Sequence, residues 1–181
     1  MQIRLSPLDI NNQIELEAYV KWENDLDFNH LFTPIFSKES KVELVTVNIT
    51  IDLFKNNSDR LKNTFLVYDG DKPIGQINMQ IDPLHLFKKE EDTCWVGLLI
   101  GEKQYWGTGA AVRAMELFED IVKSRGLKRI ELGVFEFNPR AQKFYEKLGY
   151  KRIGTIEDFT FWKNKFWNDI RMEKSLSCST L

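Results

Sequence analysis

A glycine-rich segment between an apolar run and a helix is the clearest candidate for a functional site in this sequence. We call it the glycine turn; it reads Ile100-Gly101-Glu102-Lys103-Gln104-Tyr105-Trp106-Gly107-Thr108-Gly109-Ala110-Ala111. Glycines remove the side chains that would keep a ligand away from the backbone. The unpaired N–H groups at a helix N-terminus favour an anion, above all a phosphate. The segment therefore predicts a phosphate-binding turn, although a tight turn with a close helix-strand contact would also use these glycines.

The glycine turn matches neither common nucleotide-binding motif. A P-loop needs Gly-Lys-Ser/Thr, which is not found here, and the dinucleotide fingerprint would need glycine in place of Val112. A nucleotide- or phosphate-binding domain of different chemistry therefore remains only as an alternative.

A second segment with functional residue types runs from Asn138 to Tyr150. It opens with a helix-capping asparagine followed by Pro139 at the first helical position, and it ends at Gly149. Apolar residues at helical spacing within it are Ala141, Phe144, Tyr145 and Leu148. This pattern predicts a helix whose apolar face is mostly core, with the Tyr145 hydroxyl as its one reactive group.

From Cys94 to Tyr150 the sequence resembles the GNAT superfamily of acetyltransferases. The similarity is to the branch that contains ribosomal-protein N-terminal, polyamine and antibiotic acetyltransferases, and it covers about a third of the chain. The superfamily's pyrophosphate motif, Gln/Arg-x-x-Gly-x-Gly/Ala, can be aligned at Gln104, Gly107 and Gly109. It can also be aligned at Trp106, Gly109 and Ala111, which we prefer because tryptophan commonly opens the motif in this branch.

The resemblance implies acetyl-CoA as co-substrate, with no metal. Backbone amides from Gly107 to Ala111 would bind the pyrophosphate, and the backbone of Leu98 to Ile100 would pair with the pantetheine arm like an added strand. Asn138 would lie beside CoA. The predicted CoA-binding residues are Leu98, Leu99, Ile100, Gln104, Trp106, Gly107, Thr108, Gly109, Ala110, Ala111, Asn138 and Arg140.

Acetyl transfer to an amine needs a neutral nucleophile, a stabilised oxyanion and a proton for the departing thiolate. A lysine-like amine has a pKa near 10.4 and an α-amine about 7.7 to 8.0, so deprotonation matters more for the former. The resemblance places Tyr145 near the sulfur of CoA, where it would protonate the thiolate. Amides of Leu98 to Ile100 would meet the oxyanion. Tyr145 is the predicted catalytic residue.

The general base is not assigned by the sequence. Relatives often carry glutamate on the strand where this chain has Trp95. Glu91, Asp92 or an ordered water would have to substitute, but an exposed carboxylate is a poor base unless burial raises its pKa. The missing glutamate keeps a catalytically weak acyl-CoA-binding module as an alternative function. His30 and His85, the two histidines, fit loop or surface roles better than catalysis.

An acidic and aromatic loop from Trp22 to Phe28 follows the first predicted helix, where relatives place their acceptor-binding walls. Such a loop is usually a solvated face. In the functional interpretation, Asp25 and Asp27 attract a cationic acceptor: a polyamine, an aminoglycoside or a peptide N-terminus.

Composition restricts the class of protein. The chain has 181 residues, 43% of them hydrophobic and 29% charged, which is typical of one soluble globular domain. Its net charge is −2 and its basic residues are dispersed, so no direct nucleic-acid partner is expected. Two cysteines, no signal-like N-terminus and no membrane-length apolar run favour the cytoplasm and no membrane. The resemblance allows a homodimer.

The elements that must position these residues follow from periodicity and turn signals. Predicted helices are Asn12–Trp22, Lys41–Phe54, a helix after the glycine turn that ends at Ser124-Arg125-Gly126, and Asn138–Gly149. Predicted strands are Ile3–Leu5, Thr64–Tyr68, Ile74–Ile81, Cys94–Ile100 and Ile130–Val134, followed by a final hairpin from Tyr150–Ile153 and Thr160–Met172 that turns near Lys163-Asn164.

These elements predict an α/β (α+β) fold with a central mixed, mostly antiparallel sheet, a βαβ acyl-CoA-binding unit and flanking helices. We expect one N-acetyltransferase domain over residues 1–174 and a frayed C-terminal tail over residues 175–181.

Overall fold

The computed structural model describes residues 1–40 and 43–176. The described chain divides into two compact units. Unit 1 comprises Met1–Asp25, Leu44–Gln80 and Val96–Gly126, and unit 2 comprises the described residues of Leu26–Glu43, Ile81–Trp95 and Leu127–Leu181.

Seven strands form one sheet in the described part of the chain, in the order β1-β2-β3-β4-β5-β7-β6. They are β1 Ile3–Pro7, β2 Thr64–Asp69, β3 Lys72–Ile81, β4 Thr93–Ile100, β5 Arg129–Phe135, β6 Lys151–Trp162 and β7 Lys165–Ser175. β4 and β5 run parallel, whereas β1 with β2, β2 with β3, β5 with β7 and β6 with β7 run antiparallel. The predicted mixed, mostly antiparallel α/β fold is confirmed.

The helices have local start signals. They are α1 Gln13–Glu23, α2 Val47–Lys55, α3 Ser58–Lys62, α4 Ala110–Ser124 and α5 Pro139–Lys147. Asn12 caps α1 by accepting from the amides of residues 14 and 15, and Thr46 caps α2 by accepting from the amide of residue 49. After α5, Gly149 has the predicted left-handed conformation, with φ +88°, and Gly126 after α4 is also left-handed, with φ +79°.

Unit 1 has a core formed by α1, α2, β2 and the residue that follows β1. The buried side chains that pack together there are Leu8, Tyr19, Trp22, Phe54, Leu66 and Tyr68. β3 approaches β4 closely at Gly75, where a Cβ atom would lie 2.2 Å from the carbonyl oxygen of Leu99. A side chain at Gly75 would therefore displace the half of β4 that leads into the glycine turn.

Unit 2 contains β5, β7 and β6 with helix α5. The long β6–β7 hairpin turns at Lys163 and Asn164, with φ values of +48° and +63°, as a type I′ connection requires. The predicted turn position is therefore confirmed. The ladder between the two strands is interrupted, because Ile156 pairs with Asp169 and the next pair is Thr160 with Trp167.

Three elements differ from the sequence predictions. The helix predicted over Lys41–Phe54 begins only at Val47; residues 41 and 42 lie outside the described residues. Residues 43–46 are not helical because the side chain of Asn24 holds the backbone of Val45 through hydrogen bonds of 2.8 and 2.9 Å. Helix α3 was not predicted. β6 is one strand of 12 residues, whereas its middle had been assigned to no element.

Two residues of the predicted C-terminal tail, Ser175 and Leu176, lie within the described structure. Ser175 is the last residue of β7 and pairs with Arg129, while Leu176 is buried and its amide donates to the carbonyl of Lys128 at 2.7 Å. Residues 177–181 lie outside the described residues. The single domain over residues 1–174 stays a prediction.

Candidate active site

The backbone of the glycine turn has two left-handed residues in open space. Gly107 and Gly109 have φ values of +77° and +93°, and no atom lies within 4 Å of a Cβ built on either of them. Gly109 is the N-cap of α4. Glycine is needed here for its conformation, and the lack of neighbouring atoms leaves room for a ligand beside the backbone.

Four amides at this helix start lack a protein acceptor. In the described part of the chain, no hydrogen-bond acceptor meets the N–H groups of Gly107, Gly109, Ala111 and Val112, while that of Ala110 is 3.4 Å from Thr108 Oγ1. These donors and the helix dipole together favour an anion. Three of these four amides belong to the predicted segment Gly107 to Ala111, whose pyrophosphate-binding role stays a prediction.

Side chains of the turn fix its shape. The indole Nε1 of Trp106 donates to the carbonyl of Ile100 at 2.7 Å, and Tyr105 donates to Asp69 at 3.1 Å. Thr108 Oγ1 donates to the carbonyl of Tyr105 at 2.8 Å. Gln104 is exposed and its amide lies 3.4 Å from Glu102. Both alignments of the motif therefore place its first residue, Gln104 or Trp106, in contact with the turn itself.

The start of the turn is anchored to α1. A Cβ atom at Gly101 would lie 2.2 Å from the Trp22 ring, so only glycine fits against that indole. Glu102 accepts from Lys21 at 2.5 Å and from Trp22 Nε1 at 3.1 Å. Burial raises the pKa of Glu102, but these donors and Lys72 outweigh it and hold the pKa below its ordinary value. The carboxylate stays ionised and ties the turn to the helix.

The predicted pantetheine strand, Leu98 to Ile100, is the end of β4. The parallel ladder between β4 and β5 covers Thr93 to Trp95, and β4 continues five residues beyond it. These last residues lead directly into the turn, and Leu98 and Leu99 are half-buried.

The remaining predicted residues lie in unit 2, on α5. Asn138 caps this helix, accepting from the amide of Ala141 at 3.2 Å, so its oxygen is explained by helix capping. Arg140 is exposed on the first turn. The CoA-binding roles of both residues stay predictions.

Tyr145 is buried on the apolar face of α5. Its ring packs edge-on against Phe144 and Tyr150, at centroid distances of 4.9 and 5.5 Å. Burial raises the pKa of Tyr145 far above its ordinary value. The hydroxyl is therefore protonated at neutral pH, and its role as the catalytic acid stays a prediction.

Residues that sequence reasoning missed surround Trp95 in unit 2. The Arg171 guanidinium lies 4.6 Å from the Trp95 ring centroid, and His85 packs edge-on against the same ring at 4.6 Å. Arg171 in turn forms an ion pair with the buried Asp169. The sequence carried no local signal for this group, because strands far apart along the chain bring it together.

The other base candidates are less suited to that role. Glu91 is exposed, and Asp92 pairs with Lys128 at 2.5 Å. His30 stacks on Trp162 at 4.1 Å, and burial and the charge of Lys163 lower its pKa.

The acidic loop also differs from its functional interpretation. Trp22 and Phe28 are 1% and 2% exposed, so they are core residues and cannot form a wall of the acceptor site. Asp25 lies 3.3 Å from Lys103 in unit 1 and is thereby partly neutralised.

This fold, with a glycine turn between β4 and α4, agrees with the acetyltransferase fold that the sequence resemblance predicted. The model of the acetyltransferase (GNAT) family matches residues 26–150, more than half of the chain. The chain belongs to this family.

Two curated proteins are similar to part of this chain. N-alpha-acetyltransferase 30 of Schizosaccharomyces pombe is 30% identical over 93 residues, which are 50% of this chain and 60% of that protein. An uncharacterized N-acetyltransferase of Mycobacterium bovis is 45% identical over 51 residues, 28% of this chain and 33% of its own length. The chain thus spans less than two thirds of these curated relatives.

Solved structures share the fold over nearly the whole chain. An N-acetyltransferase from Staphylococcus aureus has a TM-score of 0.77 and 14% identity, covering 98% of this chain and 100% of that one. Spermidine N-acetyltransferase from Vibrio cholerae, in complex with CoA and spermine, has a TM-score of 0.74 and 19% identity, covering 96% and 95%. A Salmonella typhimurium acetyltransferase solved with acetyl-CoA has a TM-score of 0.74 and 10% identity, covering 100% and 98%.

None of the helices in the described ranges is both long and apolar enough to cross a membrane. Over the same ranges, no group of three or more His, Cys, Asp or Glu side chains is arranged to hold a metal ion.

Proposed function

We propose that this acyltransferase moves an acetyl group from acetyl-CoA directly to a primary amine. The observation that carries the proposal is a set of four amides at and just before the start of α4 that have no acceptor in the described chain. Two of them belong to Gly107 and Gly109, which lie beside open space. The pyrophosphate of acetyl-CoA matches such donors in charge and size. Gln104 and Trp106 would keep the turn in shape, and Asn138 and Arg140 would contact CoA.

The reaction forms a C–N bond and breaks the C–S bond of the thioester. The backbone of Leu98 to Ile100 would pair with the pantetheine arm, and an amide of this strand would donate to the developing oxyanion. Tyr145 would give its proton to the departing thiolate. Its raised pKa keeps the hydroxyl protonated until then.

The acceptor is proposed only as a class: a protein N-terminus, a polyamine, an aminoglycoside or another small amine. The names of the relatives, which include an N-alpha-acetyltransferase and a spermidine acetyltransferase, support the first two. A cytoplasmic location, a homodimer and the lack of a direct nucleic-acid partner belong to the same proposal.

A panel of amines incubated with acetyl-CoA tests the function. Thiol release is followed with a thiol reagent, and the mass of the product must increase by one acetyl group. Amine-dependent release supports the proposal. CoA binding without any release, over a panel that includes an alanyl peptide, spermidine and an aminoglycoside, would favour an acyl-CoA-binding module. Trp95, at the strand position where relatives carry glutamate, favours this second candidate.

A further inference from the structure

The carboxylate of Asp169 is buried and only half satisfied. Asp169 is 2% exposed, its Oδ2 lies 2.8 Å from Arg171 Nε, and its Oδ1 has no hydrogen-bond partner among the described residues. A Cβ atom at Gly133 would lie 2.5 and 2.7 Å from the two carboxylate oxygens, so glycine on β5 makes room for them. Buried ion pairs that serve only stability normally have all their polar atoms paired.

Arg171 does not donate a hydrogen bond to Oδ1 of Asp169, because its guanidinium is held by other groups. Its guanidinium lies 4.6 Å from the Trp95 ring centroid and 5.7 Å from that of Phe159, and its Nη1 donates to the carbonyl of His85 at 3.1 Å. The Nε contact with Asp169 is close but lacks hydrogen-bond direction. The lone pairs of Oδ1 therefore remain for a donor that is not part of the described chain.

A bulge in β6 lies beside this carboxylate, because β6 pairs with β7, the strand that carries Asp169. Between the pairs Ile156–Asp169 and Thr160–Trp167, β6 has three residues where β7 has only Asn168. Asp158 in the bulge has φ +50°, and its amide donates to the side chain of Asn168 at 3.1 Å. Bulges are over-represented beside active sites, where they redirect side chains.

The same bulge carries Phe159, which connects Arg171 to the surface. Its ring packs edge-on against Phe36 at 5.5 Å, and Phe36 is 65% exposed. A series of contacts therefore runs from Arg171 through Phe159 to the exposed Phe36, and these aromatic rings suit the aliphatic part of an amine substrate.

We propose that Asp169 is the general base of the acetyl transfer, accepting through Oδ1 a proton from the ammonium form of the acceptor, directly or through one water. This inference rests on the proposed function. The neutral amine then forms the C–N bond, the C–S bond breaks, and the thiolate takes a proton from Tyr145. Tyr145 regains a proton from the new amide nitrogen, and Asp169 releases its proton to solvent.

The charges around the carboxylate suit this role. Burial raises the pKa of Asp169 to about 6, although Arg171 opposes the shift. The group is thus ionised at neutral pH and more basic than an exposed carboxylate. Burial and Arg171 lower the pKa of His85, so the imidazole is neutral there and adds no second cation.

Further charged side chains lie on the elements packed against β7. They are Glu131 on β5, Lys89 in the connection between β3 and β4, and the exposed Glu157 and Asp158 on the β6 bulge. The pKa of Asp169 is changed by burial and by Arg171, and not by these four side chains. The expected pH dependence near pH 6 is therefore that of Asp169.

Asp169→Asn tests the inference, with Glu173→Gln as matched control. Glu173 is also on β7 and is ion-paired to an arginine, Arg129, at 2.6 Å. With spermidine as acceptor at pH 7, Asp169→Asn is expected to lower kcat/KM by about 10²- to 10⁴-fold, with unchanged acetyl-CoA affinity. Wild type and Glu173→Gln should both lose kcat/KM below about pH 6, and Asp169→Asn should lack that limb.

An acceptor of lower basicity shows whether Asp169 acts as a general base or only as part of a structural ion pair. An alanyl peptide has an α-amine with a pKa of about 7.7 to 8.0 and is neutral at pH 9.5. The defect of Asp169→Asn with this peptide should shrink at least tenfold between pH 6.5 and pH 9.5. A defect that is constant with pH would overturn the inference.

A charge-balanced variant covers the case in which Asp169→Asn does not fold. Asp169→Asn with Arg171→Met removes both buried charges, and we expect a folded protein with the same loss of turnover. Wild-type turnover in either variant would overturn the inference. If the wild type itself acetylates no amine in the panel, the proposed function fails, which is a different result.

Discussion

The indole nitrogen of Trp106 donates a 2.7 Å hydrogen bond to the carbonyl oxygen of Ile100, so the last residue of β4 is tied to the far side of the glycine turn. This bond closes the backbone between the strand that would pair with pantetheine and the amides that would bind pyrophosphate. Both halves of the proposed donor site would therefore be arranged before any ligand binds, which would lower the entropic cost of binding.

Trp106→Phe should weaken this preorganisation. The ring is kept and the N–H is lost, so the free energy of unfolding should fall by about 1 kcal/mol. The Kd of CoA should rise about 3- to 10-fold, because the turn must be ordered on binding. Trp167→Phe is the control, since Trp167 Nε1 donates to the carbonyl of Trp162 at 2.9 Å in unit 2. The Kd of CoA is measured by calorimetric titration. If it changes equally in both variants, the Trp106 hydrogen bond does not contribute to CoA affinity, and the prediction is wrong.

Gly109→Glu should abolish CoA binding. The new side chain would occupy the open space beside the amides and repel the pyrophosphate. Wild type should gain about 2.7 kcal/mol of stability at a CoA concentration of 100 Kd, seen as a rise in Tm. Gly126→Glu is the control for backbone strain, because Gly126 is also left-handed and has no atom within 4 Å of a built Cβ. A ligand-induced rise in Tm that persists in Gly109→Glu would remove the pyrophosphate assignment.

The sequence predicted the local parts of this structure well. Asn12 and Asn138 act as caps because a cap depends on amides two or three residues away. The start of α2 was missed because Asn24 binds Val45, 21 residues further along the chain.

The group around Asp169 could not be predicted for the same reason. Its contacts with Trp95, through Arg171, depend on which strands are neighbours and on their register. Residue types alone show an aspartate and an arginine two positions apart. They do not show that the pair is buried or that an aromatic ring lies on the arginine.

Tyr145→Phe should preserve CoA affinity and lower turnover by about 10²- to 10⁴-fold. The substitution removes one hydroxyl and keeps the ring that packs between Phe144 and Tyr150. Tyr150→Phe is the control, because Tyr150 is a second buried tyrosine, 2% exposed, beside the first. Steady-state kinetics with the best acceptor of the panel make the comparison. If Tyr145→Phe stays within twofold of wild type, Tyr145 is a core residue.

The buried carboxylate of Asp169 also predicts how stability depends on pH. Its pKa is 3.8 in an unfolded chain and about 6 in the folded protein, where burial is the main cause. The folded state binds the proton more tightly than the unfolded chain does, so the stabilisation that comes from protonated Asp169 is complete below about pH 4. It is lost as the pH rises through 6. Relative to Asp169→Asn, wild type should lose about 3 kcal/mol across this window.

The measurement is urea unfolding of wild type and Asp169→Asn at intervals from pH 4 to pH 8, with the difference in unfolding free energy plotted against pH. Glu173→Gln provides a control of opposite sign. Burial raises the pKa of Glu173, but Lys88 and Arg129 outweigh it, so the pKa lies below its ordinary value. Wild type should therefore gain stability relative to Glu173→Gln as the pH rises. A flat difference between wild type and Asp169→Asn would mean that Asp169 titrates alike in the folded and unfolded chains, and the raised pKa would have to be abandoned.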